Sequence, residues 1–345
     1  MKSKKWNLLI LALVFLGVFG LVIYQNGAAQ LLSLFKSIEP GWMFCAAGMI
    51  ILYWLLEAGI LHQITRSLYA KQQFRNSFST SMIGQLFNCI PPFASGGQPI
   101  QAYAMVKSGV PLGLAGSALM VKFIVYQCSL TLYSLVVLLF WWREFSGQVT
   151  GFGYLVFLGF SINTLVMLGL FCICFFRRFT RFAAEGLIRL LARLRVVKQQ
   201  EETLAYAEKE LGRFHESFDL IRRHPGSIAA SALLSLLQLT VFFLIPYFIC
   251  LAFGITGTPP GMVVAAESFV TMVSSFVPLP GAAGGAEYSF HVFFAPFFQS
   301  EAGVSLAMLL WRMITFYFPI LAGSFFFFAS GAHRFSAGKQ GQTVL

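Results

Sequence analysis

The chain has 345 residues, of which 57% are hydrophobic and only 11% are charged. Because soluble domains carry roughly a quarter of their residues as charged side chains, this composition and a mean hydropathy of +0.75 exclude a large soluble enzyme module. A net charge of +11 would indicate nucleic acid in a soluble protein, but in a membrane protein basic residues gather in cytoplasmic loops and contact anionic head groups. We therefore expect an all-α integral membrane protein whose partners include the anionic membrane surface.

Six apolar stretches are predicted to cross the bilayer as full transmembrane helices. Each reaches, or nearly reaches, the length of about 20 residues that a ~30 Å hydrocarbon core requires of a helix. The first follows three lysines and resembles a signal sequence, but its apolar run is too long for a typical cleaved one, so we expect an uncleaved span. The six predicted spans are 6–24, 42–61, 112–142, 151–176, 227–253 and 304–330.

Two further apolar stretches, 78–106 and 261–298, are interrupted in the middle by Pro and Gly. Backbone that is not helical at membrane depth is tolerated where it is buried in protein or lines a polar cavity, because lipid offers no hydrogen bonds. Both stretches contain Pro-x-x-x-Gly-Gly, and position 92 of the first corresponds to position 280 of the second, an offset of 188 residues. The repeated residues are Pro92, Gly96 and Gly97, and Pro280, Gly284 and Gly285.

The basic residues predict how the chain is oriented. With a cytoplasmic N-terminus, and with each broken stretch returning to the side from which it entered, 20 of the 24 Lys and Arg residues fall on the cytoplasmic side, as the positive-inside rule requires. We therefore predict a multi-pass protein of the cell membrane with both termini in the cytoplasm. Three spans separate the broken stretches, so the two would enter from opposite sides as re-entrant hairpins of an inverted repeat, a pattern that marks transport sites. Two ordinary Pro-kinked helices are the alternative.

The longest polar stretch, 177–225, lies between the fourth and fifth spans and is predicted to be cytoplasmic. Two series of apolar residues recur among its charges near helical spacing, which predicts amphipathic helices on the membrane surface. A packed structural connector and a regulatory segment both stay open. The two series are Phe179, Phe182, Leu187, Leu190, Leu191 and Leu194, and Leu204, Leu211, Phe218 and Ile221.

The residues that follow each break suggest which chemical groups of a ligand the break could bind. Pro99 is expected to be the first residue of a half-helix capped near Ser95 or Gly97, and a buried helix N-terminus offers free N–H groups and a positive dipole to a phosphate. Gln98 and Gln101 would add neutral hydrogen bonds. In the second break, Glu287 is expected either to cap the half-helix or to meet a cationic group. The polar residues that precede the breaks, and that are expected to line the same cavity, are Gln85, Asn88, Thr271, Ser274 and Ser275.

Five ionisable side chains fall at membrane depth, where each should face the protein interior and find a partner. One predicted cluster contains Glu267, Glu287 and Arg312. A second contains Glu57 and Lys122, with Tyr126 one helical turn after the lysine; for Glu57 a purely structural ion pair is the alternative. The full set of predicted substrate-binding residues is Ser95, Gly96, Gly97, Gln98, Gln101, Lys122, Tyr126, Glu267, Gly284, Gly285, Glu287 and Arg312.

Several motifs are absent from the sequence. It contains no Gly-x-x-x-x-Gly-Lys-Ser/Thr loop, its five histidines are scattered without metal-ligand spacing, and it has a single aspartate. ATP is therefore not an evident driver, and no cofactor, metal ion or catalytic residue is predicted.

The two broken segments carry a resemblance to a known family. Pro-Pro-x-x-x-Gly-Gly at 91–97 and Pro-x-Pro-Gly-x-x-Gly-Gly-x-Glu at 278–287, together with the span order and the basic connector, resemble the membrane region of lysylphosphatidylglycerol synthases, the multiple peptide resistance factor family. The resemblance covers nearly the whole chain and includes free-standing forms of the domain. The first motif departs from the common family form, which often has an arginine just after the glycines, where this chain has Gln98 and Pro99.

The resemblance implies a flippase-like function. In two-part family members this region moves aminoacylated phosphatidylglycerol between leaflets, and a soluble C-terminal domain synthesises it; this chain ends at Leu345, so we expect no synthase domain. The leading hypothesis is flippase or scramblase-like movement of a phospholipid, such as lysyl-phosphatidylglycerol, or of another lipid-linked phosphate. Phosphatidylglycerol lysyltransferase activity, with aminoacyl-tRNA as the only nucleic-acid partner, and small-solute transport are the alternatives. A separate lipid synthase and a second copy of the chain are further partners that this hypothesis allows.

Overall fold

The computed structural model of the protein describes residues 20, 24, 27–89, 96–149, 151–193, 200–222, 225–275, 277 and 279–330. Within these residues all regular secondary structure is helical, and no β-strand is present, which confirms the all-α class. The predicted first span, 6–24, lies almost wholly outside the described residues.

Five helices of the described chain are long and apolar enough to cross a membrane, and they coincide with the five remaining predicted spans. They are α2 (Pro40–Leu68), α5 (Leu112–Gln148), α6 (Phe152–Phe175), the pair α9 (Pro225–Phe243) and α10 (Ile245–Ala252), and the pair α13 (Glu301–Arg312) and α14 (Phe318–Ala329). A short helix, α1 (Ala28–Ser37), precedes them.

Two of these long helices contain a local irregularity. The first is at Leu244, between α9 and α10, and Pro246 follows it in the first turn of α10. The second is a single π-helical turn, Met313–Tyr317, between α13 and α14, with Pro319 in the first turn of α14. Proline removes a backbone donor and disturbs the regular ladder, and π turns often occur at functional sites. The second irregularity directly follows Arg312.

The first broken stretch forms two helices, α3 (Phe74–Cys89) and α4 (Gly97–Lys107), on either side of 90–95. The two helices pack against each other, and small residues permit the approach. The Gln101 side chain occupies the space that a Cβ at Gly84 would need, and the Asn88 side chain does the same at Gly97. The hairpin is therefore closed along its length by glycine–amide contacts.

The second broken stretch forms α11 (Pro260–Ser274), the short turn Pro280–Ala282, and α12 (Gly285–Phe294). Gly281 and Gly284 have φ values of 61° and 82°, which only glycine adopts without strain. The Val277 side chain lies where a Cβ at Gly285 would be, so this hairpin also closes on a glycine. That either hairpin is re-entrant in the membrane remains a prediction.

An aromatic core holds the second hairpin against the long helices. Phe145 of α5 and Phe152 at the start of α6 contact Phe269 of α11 with ring centroids 5.3 and 5.1 Å apart. Phe293 of α12 joins the same cluster. All four side chains are fully or almost fully buried. Packing of these four rings therefore anchors the helices of the hairpin, and other contacts position its turn at Pro280–Ala282.

The connector contains two helices, α7 (Arg177–Arg193) and α8 (Gln200–Arg222). Helix α8 packs on α5, where the Glu210 carboxylate accepts a hydrogen bond from the Gly113 N–H at 2.9 Å. On α7, Phe179 and Phe182 are exposed, as an amphipathic helix on a membrane surface requires. The described part of the connector is thus docked to the membrane helices.

Candidate functional site

The two broken stretches meet each other in the folded chain. Helix α3 contacts the turn Pro280–Ala282 of the second hairpin. Cys89, the last residue of α3, packs against Phe316 of the π turn, and the Phe316 ring lies where a Cβ at Gly281 would be. The last residue before the first break and the turn within the second break therefore both contact the π turn that follows Arg312.

Arg312 lies near the middle of the 29-residue stretch Glu301–Ala329 and is almost completely buried. Its Nε donates to Glu287 Oε1 at 2.7 Å, and the two side chains are 8% and 14% exposed. The guanidinium carbon also lies 5.1 Å from the Trp311 ring centroid and 5.2 Å from the Phe316 ring centroid. Aromatic faces attract a cation at this range, so Arg312 is held by one carboxylate and two rings.

The same carboxylate closes the N-terminus of α12. Glu287 Oε2 accepts a hydrogen bond from the Gly284 N–H at 2.7 Å, while Oε1 binds Arg312. A glutamate at this position satisfies a free backbone donor and complements the helix dipole. Glu287 therefore fills both roles that its sequence position suggested, because each of its oxygens has a different partner.

Glu267 lies on the other side of Trp311. The indole Nε1 donates to Glu267 Oε1 at 3.1 Å, and the glutamate side chain is fully buried. We call Glu267, Glu287, Trp311 and Arg312 the Arg312 cluster. The three ionisable residues predicted to group together do so, and Trp311 is the contact that joins Glu267 to the other two.

A second group lies where α2, α3 and α5 meet. Lys122 Nζ of α5 lies 2.6 Å from Glu57 Oε1 of α2, with the two side chains 15% and 7% exposed. Gln85 Nε2 of α3 donates to the other carboxylate oxygen of Glu57. We call Glu57, Gln85 and Lys122 the Lys122 cluster. It places a helix of the first hairpin in direct contact with the predicted ion pair.

Two tyrosines and a second glutamine extend the Lys122 cluster. Tyr53 lies next to the Gln85 and Gln238 side chains, and Tyr126 lies close to Glu57. Because Tyr126 follows Lys122 by one helical turn, the two share a face of α5. Neutral donors thus surround a nearly buried ion pair.

The last turn of α3 connects the two clusters. Gln85 contacts Glu57, and Cys89, four residues later on the same helix face, contacts Phe316 and lies close to Arg312. The residues 90–95 of the first break follow at once. Helix α3 therefore contacts the Lys122 cluster through Gln85 and the surroundings of the Arg312 cluster through Cys89.

The first break differs from its prediction in one detail. Helix α4 begins at Gly97 with Gly96 as its N-cap residue, so Pro99 is its third residue and not its first. The shift is physically permitted, because the first-turn N–H groups have no intrahelical partner and proline lacks one. Ser95 lies outside the described residues.

The remaining predicted residues occupy different environments around this break. Gln98 is half-buried, whereas Gln101 is buried against Gly84 and so helps to close the hairpin. Gly284 and Gly285 sit at the start of α12. Contact of the twelve predicted residues with a substrate stays a prediction.

Sequence reasoning missed several residues of the site. Trp311, Phe316 and Cys89 are apolar or aromatic residues in apolar stretches, and their pattern does not differ from that of core positions. Tyr53 carried one usable signal, since it precedes Glu57 by four residues and so shares its helix face. Within the described ranges, no group of three His, Cys, Asp or Glu side chains could hold a metal ion.

Comparison with known proteins decides the family. A family model described as the lysylphosphatidylglycerol synthase TM region matches residues 7–323. The chain belongs to the lysylphosphatidylglycerol synthase TM region family. A relative from Archaeoglobus fulgidus, named a UPF0104 membrane protein, is 22% identical over 294 residues, which cover 83% of this chain and 86% of the relative. Membership and the apolar helices together make this a multi-pass membrane protein.

Proposed function

We propose that this member of the family moves a phospholipid, or another lipid-linked phosphate, across the cell membrane in the manner of a flippase or scramblase. The observation that carries the proposal is the convergence of both broken segments on Arg312, a nearly buried cation near the middle of an apolar helical stretch. A charge in that position requires a functional explanation, since a leucine would pack there without the desolvation penalty.

The chemistry of the two clusters suits a phosphate. Arginine binds phosphate oxygens through a planar fork of donors, and lysine binds them as a point charge. Each cation is now paired with one carboxylate, Arg312 with Glu287 and Lys122 with Glu57. An incoming phosphate would replace that carboxylate, so the resting pairs keep both cations balanced until the head group arrives.

The contacts of Glu287 determine the order in which a head group would bind. The cationic group that Glu287 meets in the resting structure is Arg312, and its other oxygen binds the Gly284 N–H. Within the proposal, Arg312 binds the phosphate first, and the released Glu287 then becomes available to an amine. The acyl chains stay in the bilayer, and we propose that only the polar head group contacts Lys122 and Arg312.

The arrangement of the membrane segments belongs to the same proposal. We propose six spans, two re-entrant hairpins that enter from opposite sides, and both termini in the cytoplasm. The glycine-closed hairpins and their contact at Pro280–Ala282 support an inverted pair, because one shared site reached from either side needs two such elements.

A vesicle assay tests the proposed function. Purified protein is reconstituted into phosphatidylcholine vesicles that contain a trace of phosphatidylglycerol with a fluorescent acyl chain, and an impermeant reductant bleaches the outer leaflet. We expect the bleachable fraction to rise above that of protein-free vesicles, and to fall back in the R312A variant. Equal bleaching with and without the wild-type protein would refute lipid movement.

The matched control for R312A is R143A. Arg143 lies near the end of α5 and is exposed, so its removal takes away the same charge without touching either cluster. We expect R143A vesicles to behave as wild type. A loss of movement in both variants would indicate an effect of net charge and would contradict a specific role for Arg312.

A further inference from the structure

Glu267 is a buried acid that the proposed function does not yet use. It lies in the middle of α11, where residues 263–270 are all buried. One carboxylate oxygen accepts the Trp311 N–H at 3.1 Å. The other, Oε2, is buried and has no hydrogen-bond partner among the described residues. An ionised carboxylate in this state would carry a large desolvation penalty without compensation.

The surroundings of Glu267 offer little to stabilise a negative charge. The cation nearest to it along these contacts is Arg312, which lies over the Trp311 ring and is already bound to Glu287. The charged and titratable groups on the elements around α11 are Glu287, Tyr288 and His291 on α12; Glu301 and Arg312 on α13; Lys122, Tyr126, Cys128, Tyr133, Arg143 and Glu144 on α5; Tyr154, Cys172 and Cys174 on α6; and Tyr247 and Cys250 on α10.

The count of charges in the Arg312 cluster leads to the same conclusion. The cluster contains two carboxylates and one guanidinium, so it would carry an uncompensated negative charge if both carboxylates were ionised. With a proton on Glu267, the Glu287–Arg312 pair is balanced and α12 keeps its cap. The neutral acid is thus the form that fits a buried position.

We propose that Glu267 is a proton-binding site whose occupancy is coupled to phosphate binding at Arg312. The proton is taken up from water onto Oε2 and is returned to water when it leaves; no other bond forms or breaks. A protonated Glu267 removes the negative charge that competes with a phosphate for Arg312. Reciprocally, a bound phosphate neutralises the cation that would otherwise favour the ionised carboxylate, so that the two ligands strengthen each other's binding.

The coupling to phosphate binding rests on the proposed function, whereas the binding of a proton by Glu267 does not. Infrared difference spectroscopy of the purified protein detects a protonated carboxyl group by its C=O stretch, without any lipid movement. We expect that band in the wild type near neutral pH, its loss in E267Q, and its retention in E301Q. Glu301 is the matched acid-to-amide control because it is exposed and lies at the far end of α13.

Binding of phosphatidylglycerol completes the test. Affinity is measured for wild type and E267Q in phosphatidylcholine vesicles that carry fluorescent phosphatidylglycerol, with inorganic phosphate as a parallel probe to separate a lipid from a free anion. For the wild type we expect a loss of affinity of roughly 5- to 150-fold, the usual range of coupling between two sites, as pH rises through the range where the band disappears. The E267Q variant should bind phosphatidylglycerol tightly at every pH.

The outcomes separate the two proposals. A band that is absent from the wild type, or unchanged in E267Q, overturns the proton site. A band that E267Q removes, with no phosphate or lipid binding at any pH, upholds the proton site and overturns the proposed function. Stability gives a further check, because E267Q retains an acceptor for Trp311 and imitates the neutral acid. If E267Q lowers the unfolding temperature sharply near neutral pH while E301Q does not, the ionised form is required and the inference fails.

Discussion

The two broken segments share a backbone plan and differ in charge. Both start a helix at a Gly-Gly pair, and in both the second glycine is closed by a side chain from the preceding arm, Asn88 at Gly97 and Val277 at Gly285. Only the second helix carries a carboxylate in its first turn. The N-terminus of α4 offers neutral groups, whereas the N-terminus of α12 is capped by Glu287, which also binds the buried Arg312.

This difference suggests a division of roles between the hairpins. The N-terminus of α4 has no acidic residue in its first turn, so its N–H groups can accept an anion. The N-terminus of α12 is capped by Glu287 until Arg312 exchanges that carboxylate for another anion. We therefore expect the second segment to be the more sensitive to changes of charge, and the first to changes of shape.

The largest expected effect is that of removing Arg312. R312A leaves Glu287 nearly buried without its cation, and breaking a buried pair in this way costs about 3–5 kcal/mol. An unfolding titration in SDS should show that loss against R143A as the control. The double variant R312M/E287M should recover part of the stability, because it removes the unpaired charge but also the cap at the Gly284 N–H, and it should not recover lipid movement. An R312A variant as stable as wild type would show that the pair is dispensable to the fold.

A smaller effect is expected at Lys122. The side chain is 15% exposed, and Gln85 still donates to Glu57 after its removal, so K122M should lower the free energy of unfolding by about 2 kcal/mol. The double-mutant cycle of K122M with E57Q measures the coupling directly. Additive effects of the two substitutions on the free energy of unfolding would contradict an interaction between Lys122 and Glu57.

The glycine contacts distinguish the segments by shape. A methyl group at Gly97 must displace Asn88, and one at Gly285 must displace Val277; each overpacked variant should lose about 1–2 kcal/mol. We expect N88A to rescue G97A, and V277A to rescue G285A, in the same titration. Rescue by the exchanged partner, N88A with G285A, would indicate a general loosening and not these two contacts.

The smallest effect is expected in the connector. Arg189 and Glu185 form an i,i+4 ion pair of 3.1 Å on α7, with the arginine 67% exposed. Such exposed pairs contribute at most about 0.5 kcal/mol, so R189A should unfold close to wild type. A loss as large as that of R312A would show that the connector carries stability that its exposed charges do not explain.

Much of this architecture follows from the sequence alone. The apolar stretches predicted the long helices because runs of about 20 apolar residues favour a helix long enough to span a membrane. The five ionisable residues have partners because an isolated charge in an apolar environment is costly. The grouping of Glu267, Glu287 and Arg312 followed from the same argument. The offset of the two motifs identified the segments that the fold brings into contact.

Other features depend on tertiary packing and could not be predicted. Trp311 joins Glu267 to the cluster through an indole N–H, yet a tryptophan in an apolar helix carries no sign of this use. The π turn after Arg312 and the irregularity at Leu244 are local departures from the ladder that hydropathy does not encode. The position of Pro99, two residues into α4, reflects a helix boundary, and boundaries follow caps and contacts more than composition.

The central claim is that a lipid phosphate binds beside Arg312, where α3 meets the turn of the second hairpin. The most direct measurement uses phosphatidylglycerol with a photoreactive group on its head, reconstituted with the wild-type protein, and maps the cross-linked residues by mass spectrometry. Our account predicts cross-links at Cys89, Arg312 and Phe316, which weaken in R312A. Cross-links confined to exposed perimeter residues such as Leu139 and Phe157 would contradict it.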